Sequence, residues 1–161
     1  MKGHFLTATE SPEQTKRLGM RLARRLKVGD VVLLLADLGA GKTTLVQGLA
    51  DGVGAHGTAL SPTFVVAETI AGRVPIHHLD FYRLSLREIL SLGVEDYLNG
   101  AGEIGPGIVV AEWAERFKPL WPKERLEIRI RIDKRGERRR FEFKGVGPRY
   151  QKIVDAIARA A

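Results

Sequence analysis

The chain contains no cysteine. That excludes disulfide staples, thiolate metal sites and a cysteine nucleophile, and it fits a reducing cytosol. No apolar run approaches the ~20 residues that a membrane-spanning helix needs. The segment 1–9 has no apolar h-region, so no secretory signal is expected there. Neither mark of an exported or membrane-anchored chain is present, and a cytoplasmic location is the expectation. What remains is a chain of 161 residues, 44% of them hydrophobic. That length suits one domain, 1–161, with a sizeable core, and the composition argues against disorder.

Charge is uneven along the chain. The net charge is +7, yet residues 1–113 hold 11 Lys and Arg against 12 Asp and Glu, and residues 114–161 hold 15 against 7. A neutral first part and a basic last part point to an RNA or acidic-protein neighbour near the C-terminal end. A basic face kept for solubility is the plainer alternative.

The densest signal is Ala36-Asp37-Leu38-Gly39-Ala40-Gly41-Lys42-Thr43. It fits the phosphate loop G-x-x-x-x-G-K-[ST], except that Ala36 replaces the first glycine. The apolar run 31–35 before it reads as a strand buried on both faces. The segment 43–51 after it reads as a helix ending at Gly52. Phosphate oxygens need many donors at short range. Gly39 and Gly41 let the backbone turn and approach closely. The helix start supplies amides and a positive dipole end. Lys42 brings a mobile charge to the β- and γ-phosphates, and the Thr43 hydroxyl is a hard ligand for Mg²⁺. Ala36 is tolerable if its φ is negative, as a strand end predicts.

Further along, Ser11, Pro12 and Gln14 mark a helix start with a capping box. The segments 64–70 and 74–79 read as a hairpin turned at 71–73. Segment 85–92 reads as a short helix, with Ser85 as cap and Glu88 three residues later, and 95–98 as a turn. A buried strand is expected at 108–111. Arg125–Ile132 alternates as a half-exposed antiparallel strand and returns over 138–144. A last helix covers 151–160. The expected class is α/β, a mixed sheet with a parallel core and antiparallel hairpins flanked by helices.

Two acids stand at strand ends. Asp80 follows His77-His78-Leu79, the setting of a Walker-B carboxylate beside Mg²⁺ and its waters. Glu112 follows the strand 108–111. Should that strand run parallel to the loop's strand, Glu112 arrives at the same sheet edge as Lys42 and Asp80, able to bind Mg²⁺ or orient water. Ser61-Pro62-Thr63 suggests a switch in which Thr63 touches the metal or γ-phosphate, or simply a Ser-Pro turn. Adjacent strand residues face opposite ways, so His77 and His78 read as one packed and one surface histidine. Trp113 and Trp121 read as packing residues. The single asparagine, Asn99, precedes Gly100, so the N-K-x-D segment of guanine specificity is missing and ATP is the expected nucleotide.

The order D-L-G-A-G-K-T-T (37–44), S-P-T (61–63), H-L-D-F-Y-R-L (78–84) and Glu112-Trp113 resembles the bacterial TsaE (YjeE) family. The likeness is close over about residues 10–115. It implies a P-loop ATPase fold and a role in N6-threonylcarbamoylation of adenosine 37 in tRNAs that read codons beginning with A. It also implies work beside two partners, TsaD and TsaB; with that role, the charge of the basic C-terminal part makes tRNA a candidate for the neighbour it meets. Carried over by residue, Asp37, Leu38, Gly39, Ala40, Gly41, Lys42, Thr43 and Thr44 bind ATP phosphates, and Thr43 and Glu112 ligate Mg²⁺. Asp80 is the Walker-B-like acid, Trp113 lies near the nucleotide, Thr63 is the switch residue and Ser11 is a further nucleotide contact. A small-molecule kinase, with 138–140 as an arginine-rich lid, and a nucleotide-gated assembly module of negligible turnover are the alternative classes.

Overall fold

The computed structural model describes residues 2–55 and 66–161. Its strands are β1 (His4–Thr9), β2 (Val31–Ala36), β3 (Ala67–Ile70), β4 (Ile76–Asp80), β5 (Ile108–Glu112), β6 (Arg125–Ile132) and β7 (Arg139–Val146). They form one sheet in the order β1-β7-β6-β2-β5-β4-β3. The pairs β2–β5, β4–β5 and β2–β6 are parallel, and β3–β4, β6–β7 and β1–β7 are antiparallel. The α/β class with a parallel core and antiparallel hairpins is therefore what the chain adopts.

The helices are α1 (Pro12–Ala23), α2 (Lys42–Gly52), α3 (Leu86–Ser91), α4 (Val94–Asn99) and α5 (Pro148–Arg159), with a 3₁₀ segment at Ala114–Leu120. The continuous apolar run of β2 has a direct explanation. Val32, Leu34 and Ala36 face a core shared with α1, α2 and α5, whereas Val31 and Leu33 face a second core under α3, α4 and the 3₁₀ segment. A strand covered on both sides must be apolar at every position. β6 and β7 are covered on one face only. Leu126, Ile128, Ile130, Phe141 and Phe143 point into the first core, and their alternate residues are exposed or half-buried. Alternation in the sequence reports that one-sided burial.

α1 lies on α2 almost backbone to backbone. A Cβ at Gly48 would sit 2.3 Å from the Lys16 carbonyl oxygen, and one at Gly19 would sit 2.5 Å from that of Leu45. No side chain but hydrogen fits at this crossing. The contact fixes α2, and with it the loop before it, over the sheet.

The structure departs from the sequence reading in several places. β1 was not expected; its short, weakly alternating run is held as an edge strand by pairing with β7. β6 is antiparallel to β7 but parallel to β2. The turn expected at 95–98 is helix α4, and the last helix begins at Pro148. Ser11 caps α1 through the Gln14 N–H, but the Gln14 side chain accepts from the Glu10 N–H, one residue before the box position. Residues 64 and 65 of the expected hairpin lie outside the described residues.

Candidate functional site

Three parallel strands deliver their carboxyl ends to one sheet edge, where ligands gather in open α/β folds. β2 ends at Ala36 and leads into the loop. β4 ends at Asp80, and β5 ends at Glu112 in direct register with it. The loop then turns into α2 with Gly39 at φ +76° and Gly41 at φ +97°, the left-handed region that glycine tolerates. Ala36 has no such demand: among the described residues Trp113 is the one non-glycine with positive φ.

A cleft of about 450 Å³ opens at this edge. Gly39, Gly41, Lys42, Thr43, Asp80, Glu112 and Trp113 line it, with Leu38, Tyr82 and Arg83 at its margin. Lys42 is buried, donates from Nζ to the Ala36 carbonyl at 2.9 Å and lies 4.1 Å from the centre of the Trp113 ring. Burial pulls the Lys42 ammonium below the usual lysine range, and the charges of Glu112, Asp80, Glu115 and Asp37 oppose that shift. Burial likewise raises the Asp80 carboxyl. The Tyr82 N–H, donated to Oδ1 at 2.9 Å, works against the rise, Glu112 adds to it, and His78 and Lys42 oppose it.

Glu112 is held from behind. His78 Nε2 lies 3.0 Å from Glu112 Oε1, and both side chains are almost wholly buried. A carboxylate only accepts, so the ring Nε2–H donates. His78 Nδ1 finds no partner among the described residues. Both histidines of β4 are buried, which corrects the expectation of one at the surface. His77 bonds the Thr69 hydroxyl and the Gly105 carbonyl on the other face. The reason is that β4 is an inner strand with cover on both sides. Its His78-x-Asp80 spacing, two residues on one face, is the sequence signal that places His78 beside the site.

Trp113 also does more than pack. Its left-handed backbone, φ +58°, bends the chain at the end of β5 and sets the indole against Tyr82 in a tilted pair, with centroids 4.9 Å apart and the rings 37° from parallel. Such strain in a non-glycine residue gathers at functional sites. Trp121 is a packing residue as expected, stacked on Phe81.

The remaining site residues divide around the loop. Ser11 and Thr44 line a second hollow of about 320 Å³ on its other side, sharing Gly39 and Gly41 with the first. Arg139 joins them there, a residue singled out in the sequence only as part of a basic run. Asp37 is exposed and accepts the Ala40 N–H at 3.2 Å, closing the loop's turn; Ala40 is buried. Neither lines the cleft or this second hollow. Thr63, with Ser61 and Pro62, lies outside the described residues.

A strand, a glycine loop closing on a buried lysine, and two acids on neighbouring parallel strands define the class: this is a P-loop α/β protein. The family model described as Threonylcarbamoyl adenosine biosynthesis protein TsaE matches residues 9–141. A tRNA threonylcarbamoyladenosine biosynthesis protein TsaE from Bacillus subtilis is 38% identical over 152 residues, 94% of this chain and 92% of that protein. One from Nostoc is 46% identical over 127 residues, 78% of this chain and 77% of its own. The crystal structure of Bacillus subtilis YdiB superposes with a TM-score of 0.82 at 31% identity, covering 99% of this chain and 97% of that one. The chain belongs to the TsaE family of tRNA threonylcarbamoyladenosine biosynthesis. Among the described residues no helix is long and apolar enough to cross a membrane.

Proposed function

We propose that this chain is the Mg²⁺-dependent, ATP-hydrolysing component of N6-threonylcarbamoyladenosine formation at adenosine 37, in tRNAs that read codons beginning with A. On this reading it acts in the cytoplasm with TsaD and TsaB homologues. The observation that carries the reading is the meeting of Lys42, Thr43, Asp80 and Glu112 in one cleft at the carboxyl ends of parallel strands. The donor set fits the group: a cation and backbone amides suit phosphate, and a hydroxyl with one or two carboxylates suits Mg²⁺ that keeps phosphate and water ligands.

In this assignment the backbone of 37–44 and the Lys42 ammonium bind the phosphates. Thr43, Glu112 and Asp80 hold Mg²⁺, which when bound neutralises charge that develops on the phosphoryl oxygens. Asp80 and Glu112 also orient water, His78 holds the Glu112 side chain, and Thr63 serves as the switch residue. Trp113 covers the nucleotide on one side of the loop, and Ser11 contacts it on the other. Hydrolysis by the lone chain is slow and rises in the presence of the partner proteins.

Titration calorimetry tests the reading. ATP affinity should require Mg²⁺ and fall at least tenfold, about 1.4 kcal/mol or more, in Lys42→Ala. Asp80→Asn and Glu112→Gln should lower turnover more than affinity, because charge at these positions acts chiefly in the transition state. Unchanged ATP affinity in Lys42→Ala would remove the assignment.

A further inference from the structure

Strand alternation divides the basic C-terminal run. Arg139 points to the loop side, where it lines the hollow with Ser11. Arg138 precedes the strand and pairs with Glu10. Arg140 points the opposite way from Arg139, onto the outer face of β6, β7 and β1. The first core, with α1, α2 and α5, lies on the other side of these three strands. The second core shares their outer face of the sheet but covers only the neighbouring β2, β5 and β4, so Arg129, Arg131 and Arg140 stay exposed.

On that face Arg131 stands directly opposite Arg140, and Arg129 directly opposite Glu142. The two acids of the face make their direct contacts with other partners, although the charges of Arg129 and Arg131 help, after His4, to hold the Glu142 carboxyl low. Glu142 accepts from His4 Nε2 at 2.9 Å, and Glu127 is paired with Arg125. Among the described residues the side chains of Arg129, Arg131 and Arg140 form no ion pair or hydrogen bond. Like charges set opposite each other across a strand pair are destabilising. A shallow hollow of about 520 Å³ lies over them, bordered by Leu6, which is 66% exposed, and by Ala8.

We propose that this open face of β6, β7 and β1 is an RNA-docking surface, with Arg129, Arg131 and Arg140 on backbone phosphates and Leu6 beneath a base. The choice of RNA over an acidic protein follows from the chemistry. Guanidinium forks match phosphate oxygens bidentately and stack on bases, and an apolar platform beside them suits an unstacked base. Two residues along a strand place Arg129 and Arg131 about 7 Å apart on one face, so that the three guanidiniums cover a patch rather than a point. The inference rests on the proposed tRNA role for the kind of RNA offered, and on nothing in the nucleotide cleft.

The test is fluorescence anisotropy with a labelled, unmodified tRNA transcript and the full chain, from low to moderate salt. In Arg131→Thr/Arg140→Thr, affinity at low salt should fall at least tenfold. The slope of log affinity against log salt should flatten by about 1.4–1.8, since each of the two lost phosphate contacts contributes about 0.7–0.9. The melting temperature should hold or rise as the like-charge pair disappears, and ATP affinity should not change. A control, Arg17→Ala/Arg24→Ala, removes the same charge from α1 and its C-cap and should have little effect on tRNA binding. Equal loss in the control, or an unchanged slope in the face variant, overturns the proposal. So does wild-type chain that ignores tRNA and binds polyglutamate through these arginines. A wild-type chain that binds tRNA through them but takes no ATP supports the face and overturns only the ATPase reading.

Discussion

The His78–Glu112 contact is a test of how the cleft is built. Replacing His78 by Leu keeps a similar bulk within β4 but removes the donor that Glu112 Oε1 accepts at 3.0 Å. Both side chains are almost fully out of water, so solvent cannot fill the gap easily. A hydrogen bond to a charged group contributes about 1.5–3 kcal/mol, and a buried acceptor left alone loses at least that. For a chain of this size, each kcal/mol moves the melting temperature by roughly 2–4 °C. The single variant should therefore melt about 3–12 °C lower by circular dichroism. Glu112→Leu should also destabilise, because it strands the His78 Nε2–H. The double variant, with both polar partners gone, should fall short of the sum by at least ~1 kcal/mol. Additivity within about 0.5 kcal/mol would refute the claim that the two residues act as one buried unit.

Two further outcomes follow from the same geometry. Gly48→Ala improves helix propensity by about 1 kcal/mol, but its Cβ meets the Lys16 carbonyl at 2.3 Å, where backbone opposes backbone. Overpacking at such a point should leave a net loss of about 1–3 kcal/mol in urea unfolding, and a gain would show that α1 and α2 are free to part. Asp80 has its folded carboxyl raised above the ordinary value of 3.8, so its contribution to stability is intact below that pH and is lost as pH rises through the folded value. Asparagine cannot ionise. The melting temperature of Asp80→Asn minus that of the parent should thus be more positive near pH 7 than near about pH 3.5, in chelating buffer without nucleotide. An equal difference at both pH values would show that burial does not penalise this carboxylate.

The sequence by itself determined the local half of this protein. Gly39, Gly41 and Lys42 form a loop whose backbone angles are those the motif demands, and the apolar run of β2 announced burial on both faces. Alternation in β6 announced one buried face, and Ser85 with Glu88 announced the capping box that starts α3. These features are legible because periodicity, capping and glycine placement act over a few neighbouring residues. Only the tertiary structure decided who stands beside whom. That β5 runs parallel to β2 and brings Glu112 level with Asp80, 32 positions away in the chain, is a property of strand pairing. The burial of both His77 and His78 came from β4 lying inside the sheet, and Trp113 came to lie over Lys42 because the chain bends sharply at the end of β5. The same holds for the arginines at 138–140. Written as one basic run, they serve three places, because a strand sends successive side chains to opposite faces and the sheet decides what each face meets.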